Sequence, residues 1–132
     1  MKDLVGKTIE AIFVSPGGEY LLFVTNQGDI TYATRGDCCS VTWFADITGV
    51  EALIGGKVEV TWEVNMGSYN VNDGRCRQVE DIAYGYKIRT DKGYADIVFR
   101  NSSNGYYGGG IYRTHKILRR QYMRPITEDW RA

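Results

Sequence analysis

Residues 8–14 and 20–25 are rich in β-branched and aromatic side chains and are separated by Ser15-Pro16-Gly17-Gly18, which predicts two strands joined by a turn. Asn26-Gln27-Gly28-Asp29 then turns the chain into a third strand over residues 30–34. Residues 57–64, Lys-Val-Glu-Val-Thr-Trp-Glu-Val, alternate strictly between polar and apolar, the pattern of a strand with one solvated face. Further strands follow over 80–90 and 94–101, joined by Asp91-Lys92-Gly93, and a last one over 111–118. Between the third and fourth strands the period changes. Ser40 offers a helix N-cap, Trp43, Phe44 and Ile47 share one side of a short helix over 41–47, and Gly49 interrupts it. A second helical turn over 50–54 stops at Gly55-Gly56, and residues 65–75, with two Gly and three Asn, read as a loop. The expected fold class is α+β: a mostly antiparallel β-sheet with one short helical segment inserted after the third strand.

Composition narrows the function classes. At 132 residues and 14.9 kDa the chain suits a single domain over 1–132, and its longest apolar run, residues 20–24, is far shorter than a membrane span. The N-terminus lacks the apolar core of a secretion signal, and three cysteines, Cys38, Cys39 and Cys76, are an odd number with two adjacent. Both features point to a reducing cytoplasm and not to a disulfide framework. Sixteen Lys+Arg balance sixteen Asp+Glu, which argues against a coat for long nucleic acid. The balance is uneven along the chain. Residues 113–132 hold six basic and two acidic side chains, a net +4, leaving −4 on the remainder.

Catalytic and metal chemistry find little footing. One vicinal thiol pair, one distant Cys76 and the single His115 do not make a paired zinc set, and no signature joins a cysteine to His115 as nucleophile and base. Acids such as Glu59 and Glu63 fall on the solvated face of a strand, and no phosphate loop or dinucleotide fingerprint follows a strand. No catalytic group, metal or cofactor is expected. Two segments remain. Residues 105–110 contain four glycines beside Tyr106 and Tyr107, with Asn104 preceding them; this is a set able to bring backbone N–H groups, flat rings and an amide to a ligand. Arg120 and Arg124, next to Arg119, suit a phosphate. The plain alternative is a glycine-rich hairpin packed on the sheet and a tail whose arginines only solvate it.

Four motifs carry a resemblance: Leu4-Val5-Gly6-Lys7, Gly36-Asp37-Cys38-Cys39-Ser40 with Trp43, Leu53-Ile54-Gly55-Gly56-Lys57-Val58, and Asn104-Gly105-Tyr106-Tyr107-Gly108-Gly109. Together they resemble a widespread small phage and bacterial domain family. The closing Met123-Arg124-Pro125-Ile126-Thr127-Glu128-Asp129-Trp130 makes the chain similar, within that family, to the first type of phage Thoeris anti-defence proteins. The resemblance implies a sponge, acting in the host cytoplasm, that binds cyclic ADP-ribose isomers made by TIR-domain enzymes and holds them uncleaved. Some members also sequester cyclic oligonucleotide signals at a separate site made by higher assembly. It further implies a homo-oligomer whose pocket lies between protomers and uses a ring, an asparagine and two arginines. By motif these are Tyr94, or next Phe99, with Asn104, Arg120 and Arg124, and Arg119 as the alternative to Arg120; the glycine-rich loop, on its own residues, adds Tyr106 as a further ring. The tail, residues 116–132, would complete that site. The competing classes are a small nucleotide-degrading enzyme and a protein-binding inhibitor domain.

Overall fold

The computed structural model of the chain describes residues 1–36, 40–69, 80–103 and 109–132. Ten strands form two antiparallel five-stranded sheets: β1 Ile9–Val14, β2 Tyr20–Thr25, β3 Gly28–Gly36, β4 Val41–Thr48, β5 Val58–Tyr69, β6 Glu80–Thr90, β7 Gly93–Ser103, β8 Gly109–Thr114, β9 Arg124–Pro125 and β10 Trp130–Arg131. The first sheet runs β8-β3-β2-β1-β9 and the second β10-β4-β7-β6-β5. The only helical elements among the described residues are α1, Val50–Leu53, and single 3₁₀ turns at Lys2–Leu4 and Arg120–Tyr122. None of these helices is long and apolar enough to cross a membrane.

The molecule is therefore mainly β, with a smaller helical share than an α+β fold, and the one α-helix among the described residues follows the fourth strand instead of the third. The helix expected over 41–47 is strand β4. Its apparent helical spacing comes from a bulge: β4 pairs with β7 through Phe44↔Phe99, then Asp46↔Val98 and Ile47↔Ile97, so one residue is skipped. That skip puts Phe44 and Ile47, three apart, on the same inward face, where both are fully buried. The β-branched and aromatic run Val41-Thr42-Trp43-Phe44 favours extended backbone in any case. Two other boundaries move. Strand β5 continues through Tyr69, into what reads as a loop, because residues 65–69 still find partners on β6 across a second bulge. Strand β8 ends at Thr114 and not near 118: the Thr114 hydroxyl accepts the Lys116 N–H at 3.2 Å and turns the chain out of the sheet.

One core lies between the sheets. Leu21, Phe23, Ile12 and Val14 from the first meet Phe44, Ile88, Ile97 and Phe99 from the second, and Tyr84 stacks on Phe99 with ring centroids 5.4 Å apart. One open side is closed by the N-terminal turn. Gly6 N donates to Val58 O at 2.8 Å, Val58 N to Lys7 O at 2.9 Å, and Leu4 is fully buried. Asp3 joins this turn to β3 and β8, accepting from the Tyr32 hydroxyl at 3.1 Å and pairing with Arg113 at 3.3 Å. Desolvation pushes the Asp3 carboxyl up, but the Tyr32 hydrogen bond and the Arg113 charge outweigh it and hold it below the usual carboxylate range.

The other side is closed by the tail, a strap that begins after β8. It leaves one edge of the first sheet, crosses that sheet's outer face, and pairs at the far edge as β9, with Phe13↔Pro125 and Val14↔Arg124. It then passes to the second sheet and pairs as β10, with Trp130↔Ile47 and Arg131↔Asp46. Between the two short strands Ile126 drops into the core at 2% exposure, its N–H donating to Ile12 O at 2.8 Å. Asp129 Oδ1 accepts the Val50 N–H at 3.0 Å, which satisfies one of the free donors at the start of α1.

Two consequences can be measured. Ile126→Ala should lose about 2–4 kcal/mol of unfolding free energy in urea, since it opens a cavity where the two sheets and the strap meet. Because Asp3 titrates lower folded than unfolded, its contribution is present above about pH 4 and is lost as pH falls through its folded value. The urea midpoint of the native protein should accordingly fall more steeply below about pH 4 than that of Asp3→Asn; equal slopes would exclude this link.

Candidate functional site

The strap builds a cleft where it passes between the sheets. Residues 121–124 and 130–132 form one wall, and the β1–β2 turn, residues 15–18, with Trp43 and Phe44 of β4 forms the other. The cleft holds about 570 Å³, within the range of small-molecule sites. Three rings line it: Trp43 and Trp130, both half-buried, and Tyr122, which is 64% exposed.

Each ring is there for a local reason. Trp43 points outward from the second sheet because its neighbour Phe44 points in, and the guanidinium of Arg100 lies 5.3 Å from its ring centroid. Trp130 is fixed by the β10 pairing with Ile47, and Tyr122 by the 3₁₀ turn in which its N–H donates to Arg119 O at 3.1 Å. The β1–β2 turn is held against β4 by Gly18. Its φ of +72° suits glycine, its carbonyl accepts the Phe44 N–H at 2.8 Å, and a Cβ there would stand 3.1 Å from Phe44 O.

Arg124 lines the same cleft, is exposed, and makes no ion pair among the described residues. Arg131, next to it in the cleft wall, is already bound, its Nε donating to Asp46 Oδ1 at 2.9 Å. An aromatic cleft with one uncommitted guanidinium can stack a flat ring and hold an anion. Among the described residues no group of three His, Cys, Asp or Glu side chains is placed to hold a metal ion.

The residues expected from sequence are distributed unevenly over this geometry. Arg124 is in the cleft. Arg120 is on the same strap but turned to the outer face of the first sheet, where its Nη2 reaches both oxygens of Asp29 at 2.8 and 2.7 Å. Phe99 is 2% exposed in the core, with ring contacts to Tyr84 at 5.4 Å and Tyr86 at 6.3 Å on the neighbouring strand β6. Tyr94 is 64% exposed at the start of β7, beside a shallow hollow with Gly49, Lys92 and Thr127. Asn104 and Tyr106 lie outside the described residues, as do Cys38, Cys39 and Cys76. The flanking strands still fix one fact. Tyr94 and Ser103 stand at opposite ends of β7, so Tyr94 is about 30 Å from the point where the 104–108 segment begins. Sequence reasoning missed Trp43, Tyr122 and Trp130 as site residues; the available signal was that Tyr122 and Trp130 flank Arg124 in one basic segment.

The family described as domain of unknown function DUF7448 matches residues 2–113, most of the chain. The chain belongs to the DUF7448 family. No curated protein and no solved structure matches it. The DUF7448 match takes in strands β1 to β7 and most of β8 and stops at Arg113, so the strap lies beyond the matched residues while the Trp43 wall of the cleft lies inside them.

The Gly18 contact gives the site a simple test. Gly18→Ala should cost about 1–2 kcal/mol in urea unfolding, from a left-handed φ and the crowding at Phe44 O. It should also change Trp43 fluorescence, since the turn it holds is part of the same wall; an unchanged midpoint would contradict the docking described.

Proposed function

We propose that the protein is an anti-defence sponge that binds cyclic ADP-ribose isomers of TIR-based immunity in the host cytoplasm and sequesters them without cleaving them. The observation that carries this reading is the strap cleft, in which Trp43, Tyr122 and Trp130 line the same space of nucleotide size as the uncommitted Arg124. Stacking on one ring is worth about 1–3 kcal/mol per base, and a charge-assisted hydrogen bond to phosphate adds to it. A sponge needs affinity without chemistry, and its Kd must lie below the concentration at which the defence effector responds. The resemblance of the four motifs and the closing segment supplies the ligand class. A net +4 over residues 113–132 suits a small doubly anionic ligand without making the whole chain basic.

The second copy enters through Tyr94. The resemblance implies a pocket shared between protomers, to which a neighbouring copy would contribute Tyr94; within one chain Tyr94 stands at the far end of β7 from Ser103. A homo-oligomer follows from this reading, as does room for a separate site for cyclic oligonucleotides.

The test is capture and release. Purified protein mixed with a cyclic ADP-ribose isomer, freed of unbound ligand and then heated should return the same molecule. A cleaved product would establish a nucleotide-degrading enzyme, and no retained ligand would leave a protein-binding inhibitor. Trp43→Ala and Arg124→Ala should each weaken capture by about 10-fold or more, with the unfolding midpoint little changed for Arg124→Ala.

A further inference from the structure

The cleft has one fixed wall and one applied wall. The β1–β2 turn and β4 belong to the sheets, whereas residues 121–124 belong to a strap laid over the outer face of the first sheet. Among the described residues two side chains hold this crossing by polar contacts. Lys116 Nζ lies 3.2 Å from the Tyr20 hydroxyl and 5.1 Å from its ring centroid. Arg120 Nη2 binds both Asp29 oxygens at 2.8 and 2.7 Å, with its guanidinium 6.0 Å from the Phe13 ring centroid. Arg120 also opens the 3₁₀ turn that carries Tyr122: Tyr122 N donates to Arg119 O at 3.1 Å and Met123 N to Arg120 O at 3.0 Å. A displacement of Arg120 is thus passed within a single turn to Tyr122, and through Met123 to Arg124.

We infer that Arg120 and Asp29 form the latch that positions the strap wall of the ligand cleft, and that Arg120 is a positioning residue which does not itself touch the ligand. The inference rests on the cleft being the ligand site. Three observations carry it. The Asp29 carboxylate already engages Arg120 Nη2 through both of its oxygens. The pair sits on the outer face of the first sheet, away from the rings of Trp43 and Trp130. Both partners are about half exposed, at 48% and 44% of their side-chain surface, and such pairs are weak. A weak pair sets the position of this wall without anchoring it; the attachment of the strap comes from Ile126 and from the β10 pairing.

Charge reversal separates the two roles of Arg120. Arg120→Asp and Asp29→Arg should each speed hydrogen exchange at the Tyr122 and Met123 amides by about two- to fivefold and weaken cyclic ADP-ribose binding by a similar factor. The double variant, which restores the pair with its signs exchanged, should return both quantities to near the native values. Exchange restored without affinity would mean that Arg120 contacts the ligand and would overturn the inference. Exchange unchanged in either single variant, or not recovered in the double, would overturn the latch itself. If the native protein binds no cyclic ADP-ribose, the sponge reading fails, and the exchange measurements still decide whether the latch exists.

Discussion

The fold depends on how its sheet edges are closed. Two antiparallel sheets of five strands expose backbone donors and acceptors at four edges, and an open apolar seam runs along each side between them. On one side β9 covers the edge of β1, β10 covers the edge of β4, and Ile126 fills the seam between. On the other side the N-terminal turn bridges β8 and β5 through Asp3, Gly6 and Lys7. Without the strap, β1 and β4 would both be bare edges facing water and Phe44 and Val14 would lose their cover. The eight residues from 124 to 131 therefore matter more to the domain than their two short strands suggest.

The same closure makes the candidate site. A strand pair at each sheet edge fixes the strap at two points, and the stretch before the first of them, with Tyr122, stands across the cleft from the wall made by Trp43 and the β1–β2 turn. One backbone segment thus both closes the fold and walls the cleft. The partition of arginines follows from this: Arg131 and Arg120 pair with Asp46 and Asp29 and hold the strap, and Arg124, between them in sequence, lines the cleft without an ion pair among the described residues.

Much of the fold was legible in the sequence, for identifiable reasons. The strands β1, β2, β6 and β7 carry clean alternation or β-branched runs with turn residues between them, and α1 is bracketed by Gly49 and Gly55-Gly56. What misled was β4, where a bulge shifts the inward face by one residue and mimics helical spacing at Trp43, Phe44 and Ile47. The strap was invisible as structure because two-residue strands have no period and because its partners, β1 and β4, are more than 80 residues away. For the site, the charge of the tail could be read directly, and Arg124, singled out from the sequence, lines the cleft. The pairing of Arg120 with Asp29 and the presence of Trp43 opposite the tail are long-range facts that no local pattern encodes.

The central claim is that ligand enters the cleft between the strap and β4. The three tryptophans test it directly, since Trp43 and Trp130 line that cleft while Trp62 stands on β5, at the opposite edge of the same sheet. Indole N–H resonances followed during titration with cyclic ADP-ribose should move for Trp43 and Trp130 and stay in place for Trp62. Movement of Trp62 with the other two unchanged, or no movement of any of them, would contradict the account.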